Sequence, residues 1–230
     1  MSLQVQPGSP MRKLLEQPGN GTGSVVEHDS LTEHALHATM PVGRDEADEQ
    51  PAFDHQAAIN MLAAGIQDIT NTMVEDFKLN EVLRMILETM LRALGFRRIV
   101  FCLRDPRTEC LTGRFGLGEG VEALIPRFKV PLKTAPGAAV DLFAAVCAKG
   151  ADTLISDATV PQIAARLPGW YRQGINAPAF LLLPLVLKGA PFALIYADKA
   201  QPGAIELGEK ELSLLRTLRN QAVMAFKQAS

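Results

Sequence analysis

Histidine is almost missing from the part of this chain that has the composition of a folded domain. All four, His28, His34, His37 and His55, occur before residue 56, so the remainder has no imidazole for general-base work or metal ligation. His34-x-x-His37 has the spacing of a helical metal pair, but it lies in a segment with no fixed scaffold. Cysteine is scarce as well. Cys102, Cys110 and Cys147 are three in number, an odd count at spacings that match neither a disulfide framework nor a zinc motif, and they read as reduced thiols of a cytoplasmic protein. Long apolar runs are absent too. The longest, Ala177 to Leu187, is broken by Pro178 and Pro184 and falls short of the roughly 20 residues that span a bilayer. No membrane helix is expected, and the polar, proline-containing start Met1 to Pro10 does not read as an export leader. Strong charge of one sign is also lacking. The formal net charge of -2 divides into -6 over residues 1–54 and +4 over the rest, too dilute for a nucleic-acid binder that needs clustered Lys and Arg.

What is present is enough apolar matter for one sizeable domain: 230 residues at 47% hydrophobic. Residues 1–54 contain five prolines, the run Gly19-Asn20-Gly21-Thr22-Gly23 and the acidic cluster Asp45, Glu46, Asp48 and Glu49. This segment reads as a disordered acidic tail or linker, with a short helix around Ser30 to Thr39, because it cannot bury enough apolar surface to offset the entropy of ordering. From residue 55 onward the pattern is that of one domain. Ile59, Leu62, Ile66, Ile69 and Met73 recur at steps of three and four, the narrow stripe of a helix that faces a partner helix. A second helix follows Asn80, with a wider apolar face through Leu94 and a terminating Gly95.

Strands are expected at Arg97 to Arg104, Glu109 to Leu117, Phe128 to Leu132 and Thr153 to Ser156, with a helix at Val140 to Lys149. Pro161 to Leu167 has room for helical turns. Two further strands, Phe180 to Leu187 and Pro191 to Asp198, are joined by the tight turn Lys188-Gly189-Ala190. A last helix begins near Leu207-Gly208 and carries Leu212, Leu215, Leu218, Ala222 and Phe226 on one stripe. The order predicts an α+β domain: a mostly antiparallel central sheet of five or six strands, with the N- and C-terminal helices packed on one face.

The strand Arg98-Ile99-Val100-Phe101-Cys102-Leu103 after an amphipathic helix, the pair Phe180 to Asp198 with its central Pro184-Leu185 and Gly189, and the closing helix together resemble a GAF domain over roughly Leu79 to Phe226. That family is a small-molecule sensory and dimerisation module of signalling proteins. The resemblance implies a regulatory rather than catalytic protein, a homodimer paired through its terminal helices, and a ligand pocket on the opposite face of the sheet. The stripe Ile59, Leu62, Ile66, Ile69 and Met73 is the expected dimer seam. Residues that the resemblance places near a pocket are Arg114, Phe115, Phe128, Phe143, Asp157, Trp170, Tyr171 and Asn176, with Trp170 foremost because it is the sole tryptophan.

Other chemistry fails to assemble. The segment Gly113 to Gly120 contains the run Gly116-x-Gly118-x-Gly120, but it follows a strand without opening a helix, so it is not a phosphate loop and its glycines are expected to shape a loop; no cofactor or metal is expected. The cyclic-nucleotide signature of the family, and the residues that hold a bilin or a haem, are missing. A cysteine-based free methionine sulfoxide reductase is the catalytic alternative. It needs a nucleophile and a resolving partner at spacings that these cysteines do not have. Dimerisation or protein docking without a ligand is the other alternative.

Overall fold

The computed structural model describes residues 53–133, 137 and 139–229. The expected tail, its short helix and three of the four histidines lie outside the described residues. Phe53, assigned to the tail on composition, belongs to the domain: its ring packs on the core, stands 5.0 Å from the His55 ring and lies under Lys199 Nζ at 5.0 Å.

Three long helices and a sheet build the frame. Helix α1 (His55–Val74) starts at Asp54, whose carboxylate accepts the Ala57 N–H at 2.9 Å. Helix α2 (Leu79–Leu94) ends at Gly95, which takes the left-handed conformation at φ 59 and donates its N–H to the Leu91 carbonyl, the glycine stop expected from the sequence. Helix α7 (Glu209–Gln228) closes the chain.

Among the described residues, six strands form one antiparallel sheet: β1 (Arg98–Asp105), β2 (Cys110–Gly118), β3 (Lys129–Pro131), β4 (Thr153–Ile155), β5 (Ala179–Leu187) and β6 (Ala190–Lys199), in the order β3-β2-β1-β6-β5-β4. The central strands are buried on both faces, which is why they read as nearly continuous apolar runs rather than alternating ones. Ile99, Phe101, Ala193, Ile195, Ala197, Leu181 and Leu183 point toward α2 and α7. Their neighbours Val100, Cys102, Leu194, Tyr196, Phe180 and Leu182 point to the other side, the two-residue period of a strand dividing one sequence between two cores.

That second side is covered by short elements: α3 (Val121–Leu124) with a 3-10 turn at Ile125–Arg127, α4 (Leu142–Lys149), α5 (Pro161–Ala164) and α6 (Gly169–Gly174). The glycines of β2 serve this covering and not a loop. A Cβ on Gly113 would lie 2.3 Å from the Ile125 carbonyl oxygen, and one on Gly116 would lie 2.6 Å from the Val121 side chain, so the α3 turn rests directly on the strand backbone. Helix α6 was not expected. Its sequence, Gly-Trp-Tyr-Arg-Gln-Gly, has poor helix formers at both ends, and it is held by the preceding Pro168 and by tertiary packing.

Candidate functional site

On the short-helix side of the sheet, aromatic rings converge. Asp141 caps α4 by accepting the Ala144 N–H at 2.8 Å, which fixes Phe143 in the first turn. Around it stand Trp170 at 5.0 Å, Tyr171 at 5.2 Å, Phe180 at 5.6 Å and Tyr196 at 6.4 Å between ring centroids. Phe128 joins through Tyr196 at 4.9 Å and Trp170 at 5.4 Å. Phe128, Phe143, Tyr171, Phe180 and Tyr196 are fully buried. The side of the domain where the sequence suggested a pocket is packed by the protein's own rings, at the offset and edge-on spacings that aromatic pairs favour.

A polar chain runs through this core. Tyr171 donates its hydroxyl to the Ala177 carbonyl at 2.9 Å and lies 3.5 Å from the Tyr196 hydroxyl. Tyr196 donates to Asp198 Oδ2 at 2.7 Å. Asp198, buried completely, receives Arg98 Nη2 at 2.6 Å and Arg97 Nε at 3.3 Å. Burial pushes both phenols up, and the nearby Asp198 charge adds to this. These tyrosines are hydrogen-bonding groups and not acids or bases near neutral pH. The chain was not read from the sequence, although Arg98 and Asp198 are directly opposed in the β1–β6 register; the only signal was a carboxylate ending an apolar strand.

The thiols are equally quiet. All three cysteines are buried and free. Burial drives Cys147 to about 12 and Cys102 well above its ordinary value, with the Cys147 charge adding to the latter. With a pKa near 12, only about one Cys147 in 10⁵ would be a thiolate at neutral pH. No group of three or more His, Cys, Asp or Glu side chains suited to a metal occurs among the described residues.

Trp170 has one anomaly. Its Nε1 is buried with no acceptor in reach, whereas indole N–H groups in protein interiors usually find one. Asp157 is spent locally: its Oδ1 accepts the Thr159 N–H at 2.8 Å and the Thr159 hydroxyl at 2.6 Å, and these bonds lower its pKa. Asn176, at φ 42, lines a separate hollow of about 280 Å³ with Ala158, Leu167, Arg172 and Pro178.

Arg114 and Phe115 do not join the aromatic group, contrary to expectation. A bulge between Phe101 and Cys102 shifts the β1–β2 register, and Phe115 lands beside Phe101 on the terminal-helix side. There both residues line a cleft of about 710 Å³ between the first turn of α2, the end of α7 and strands β1 and β2. Arg84, Leu103 and Phe226 complete it and were not predicted for any site.

The expected dimer seam is also used differently. Leu62 and Ile69 have no exposed surface, and Ile66 and Met73 pack on the same core, because α2 and α7 of the same chain supply the facing helices. Gln221 of α7 donates to the Ile66 carbonyl at 3.1 Å and to Thr70 Oγ1 at 2.8 Å. On another flank, Ala57, Met61, Ala64 and Asp68 are exposed. A groove of about 280 Å³ runs there between α1 and α2, lined by Met61, Ala64, Gly65, Met85 and Thr89 among others.

The family pattern of the GAF domain matches residues 78–226. No curated protein matches the chain. Among solved structures, the chain is similar to the GAF domain of a phosphoenolpyruvate-protein phosphotransferase from Acinetobacter, at 18% identity and TM-score 0.57 over 74% of this chain and 93% of that one. It is similar to its counterpart from Coxiella burnetii, at 15% and 0.58 over 75% and 95%. A third similar structure is the free methionine-R-sulfoxide reductase of Neisseria meningitidis in complex with its substrate, at 16% and 0.55 over 77% and 97%. At these identities the structures speak for the fold, while the pattern covers well over half of the sequence. This chain belongs to the GAF domain family.

Proposed function

We propose that the domain is a regulatory module that relays a state through its terminal helices, working as a homodimer in which α1 and α2 of two protomers pair. One observation carries this reading: α1 packs on α2 and α7 rather than on the sheet, fully buries only Ala58, Leu62 and Ile69 there, and leaves Met61 42% exposed beside Ala57 and Ala64. An apolar, small-residue flank next to a shallow groove suits close approach of a second helix pair. The close fit of Gly65 against Thr89, where a Cβ would meet Cγ2 at 2.4 Å, keeps that flank flat. The burial of all three thiols favours regulation over the reductase alternative.

Light scattering on purified protein checks this. The wild type should have the mass of a dimer and Met61→Glu that of a monomer with an unchanged circular dichroism spectrum; a monomeric wild type would sink the proposal.

A second reading is favoured by Trp170. A buried indole N–H without an acceptor suits a small ligand that supplies one by displacing part of the ring packing. Its test is the Trp170 indole resonance, which would shift on titration with such a ligand.

A further inference from the structure

The cleft on the terminal-helix side is larger than the α1–α2 groove and the Asn176 hollow, and nothing in the regulatory reading above uses it. Its volume of about 710 Å³ falls within the roughly 300 to 1,000 Å³ typical of small-molecule sites, whereas the α1–α2 groove and the Asn176 hollow each hold about 280 Å³. Its floor is aromatic. Phe115, Phe101 and Phe226 form a row with centroids 5.5 and 5.9 Å apart and interplanar angles of 32° and 17°. Leu83 and Leu103 flank it, and Phe115 and Phe226 keep part of their ring surface accessible.

The rim is charged in a definite sense. Arg84 and Arg114 are exposed, and neither has a carboxylate within ion-pair distance among the described residues. Arg114 acts on Asp105, whose carboxyl is held low chiefly by the Arg107 amide, then the Thr108 hydroxyl, and only then by the Arg114 charge. The one acidic rim residue, Glu81, has Lys78 Nζ 3.4 Å from its carboxylate. Helix α2 adds the positive end of its dipole, since Lys78 at the N-cap provides no side-chain acceptor for the first turn.

We propose that this cleft binds a planar aromatic carboxylate, with its ring against Phe115 and Phe226 and its carboxylate between Arg84 and Arg114. The partly accessible rings of Phe115 and Phe226, on either side of the buried Phe101, offer aromatic contact to a flat ligand. Two guanidinium forks match the two oxygens of a carboxylate. With Glu81 nearby, a singly charged head group is favoured over a doubly charged phosphate. Such a ligand touches α2 and α7 together, so its occupancy would bias the helices through which the domain is proposed to relay. The inference deepens the regulatory reading, and the binding itself does not depend on the dimer.

The experiment titrates ¹⁵N-labelled protein with 2-naphthoate and with the neutral 2-naphthalenemethanol. Naphthoate should bind saturably, perturb the amides of Leu79, Asn80, Glu81 and Phe115, and leave the Trp170 indole resonance in place. The alcohol should bind about tenfold more weakly, the scale of one charge-assisted interaction. The doubly substituted Arg84→Gln, Arg114→Gln protein should lose that preference while keeping its affinity for the alcohol.

Absence of saturable binding, equal affinity for acid and alcohol, or a shift at Trp170 would each overturn the proposal. So would conversion of a dimer to a monomer by the double substitution, which would make a second copy of the chain the occupant. Light scattering on the same samples separates the two claims: a dimer that ignores naphthoate refutes only the cleft, and a monomer that binds it refutes only the dimer.

Discussion

Asp198 is a completely buried carboxylate that accepts from Arg97, Arg98 and Tyr196. A charge taken out of water persists only if it is paired and hydrogen-bonded, and removing one partner leaves the others uncompensated. Asp198→Asn should therefore lower unfolding stability by about 3 to 5 kcal/mol, and Tyr196→Phe by about 1 to 2 kcal/mol, as measured by urea denaturation. A second carboxylate gives a pH effect. Glu211 is buried, lies 2.5 Å from His55 Nδ1, and has its pKa lowered first by that hydrogen bond and then by backbone N–H groups including that of Gly208. A lowered folded pKa means stabilisation that is present above the unfolded glutamate value of about 4.3 and lost as pH falls through the folded value. His55→Ala should be less stable than wild type at pH 6, with the gap in urea midpoints closing as the pH falls below the ordinary glutamate range. At this scale the sequence was least informative. Trp170, Tyr171 and Phe128 were named and do meet, but Tyr196 and Asp198 were not, because their partners come from strands whose register only the folded sheet defines.

Elements were more legible. The second helix and its glycine stop, both hairpins and the closing helix follow from periodicity and turn chemistry, which act within a few residues. Two of the short coverings were missed. Helix α6 and the turn at Val121–Arg127 depend on resting against the sheet and carry no periodic signal of their own. The glycines of β2 read as a loop because their cause is also remote: the α3 turn needs bare backbone beneath it. Gly113→Ala would push a methyl group against the Ile125 carbonyl and should cost about 1 to 3 kcal/mol. Gly169→Ala, in the first turn of α6 with open space around its Cβ position, should leave the thermal midpoint unchanged or raise it. If the two substitutions had equal effects, the close approach at β2 would not be what fixes its glycines.

For the molecule as a whole, the α+β sandwich with terminal helices on one face emerges from the order of elements alone, while the use of each face does not. The side expected to hold a ligand is packed by aromatic rings, and the side expected only to pair with a partner carries the large cleft. The bulge in β2, where Arg114 is left unpaired between Phe115 and Gly113, is enough to turn Phe115 away from Phe128, since a shift of one residue reverses the face that a strand side chain meets. The heptad-like stripe of α1 was visible, yet periodicity reports only that a helix has a partner and not whose helix it is. Here α2 and α7 of the same chain take the stripe, and the flank with Met61 and Ala64 stays exposed, where the proposed second copy would pair. Oxidative cross-linking tests that directly. Ala64→Cys should give a covalent dimer under mild oxidant, while a control at the exposed β3 residue, Lys129→Cys, should stay monomeric on denaturing gels; cross-linking at Lys129 alone, or at neither position, would contradict pairing through the terminal helices.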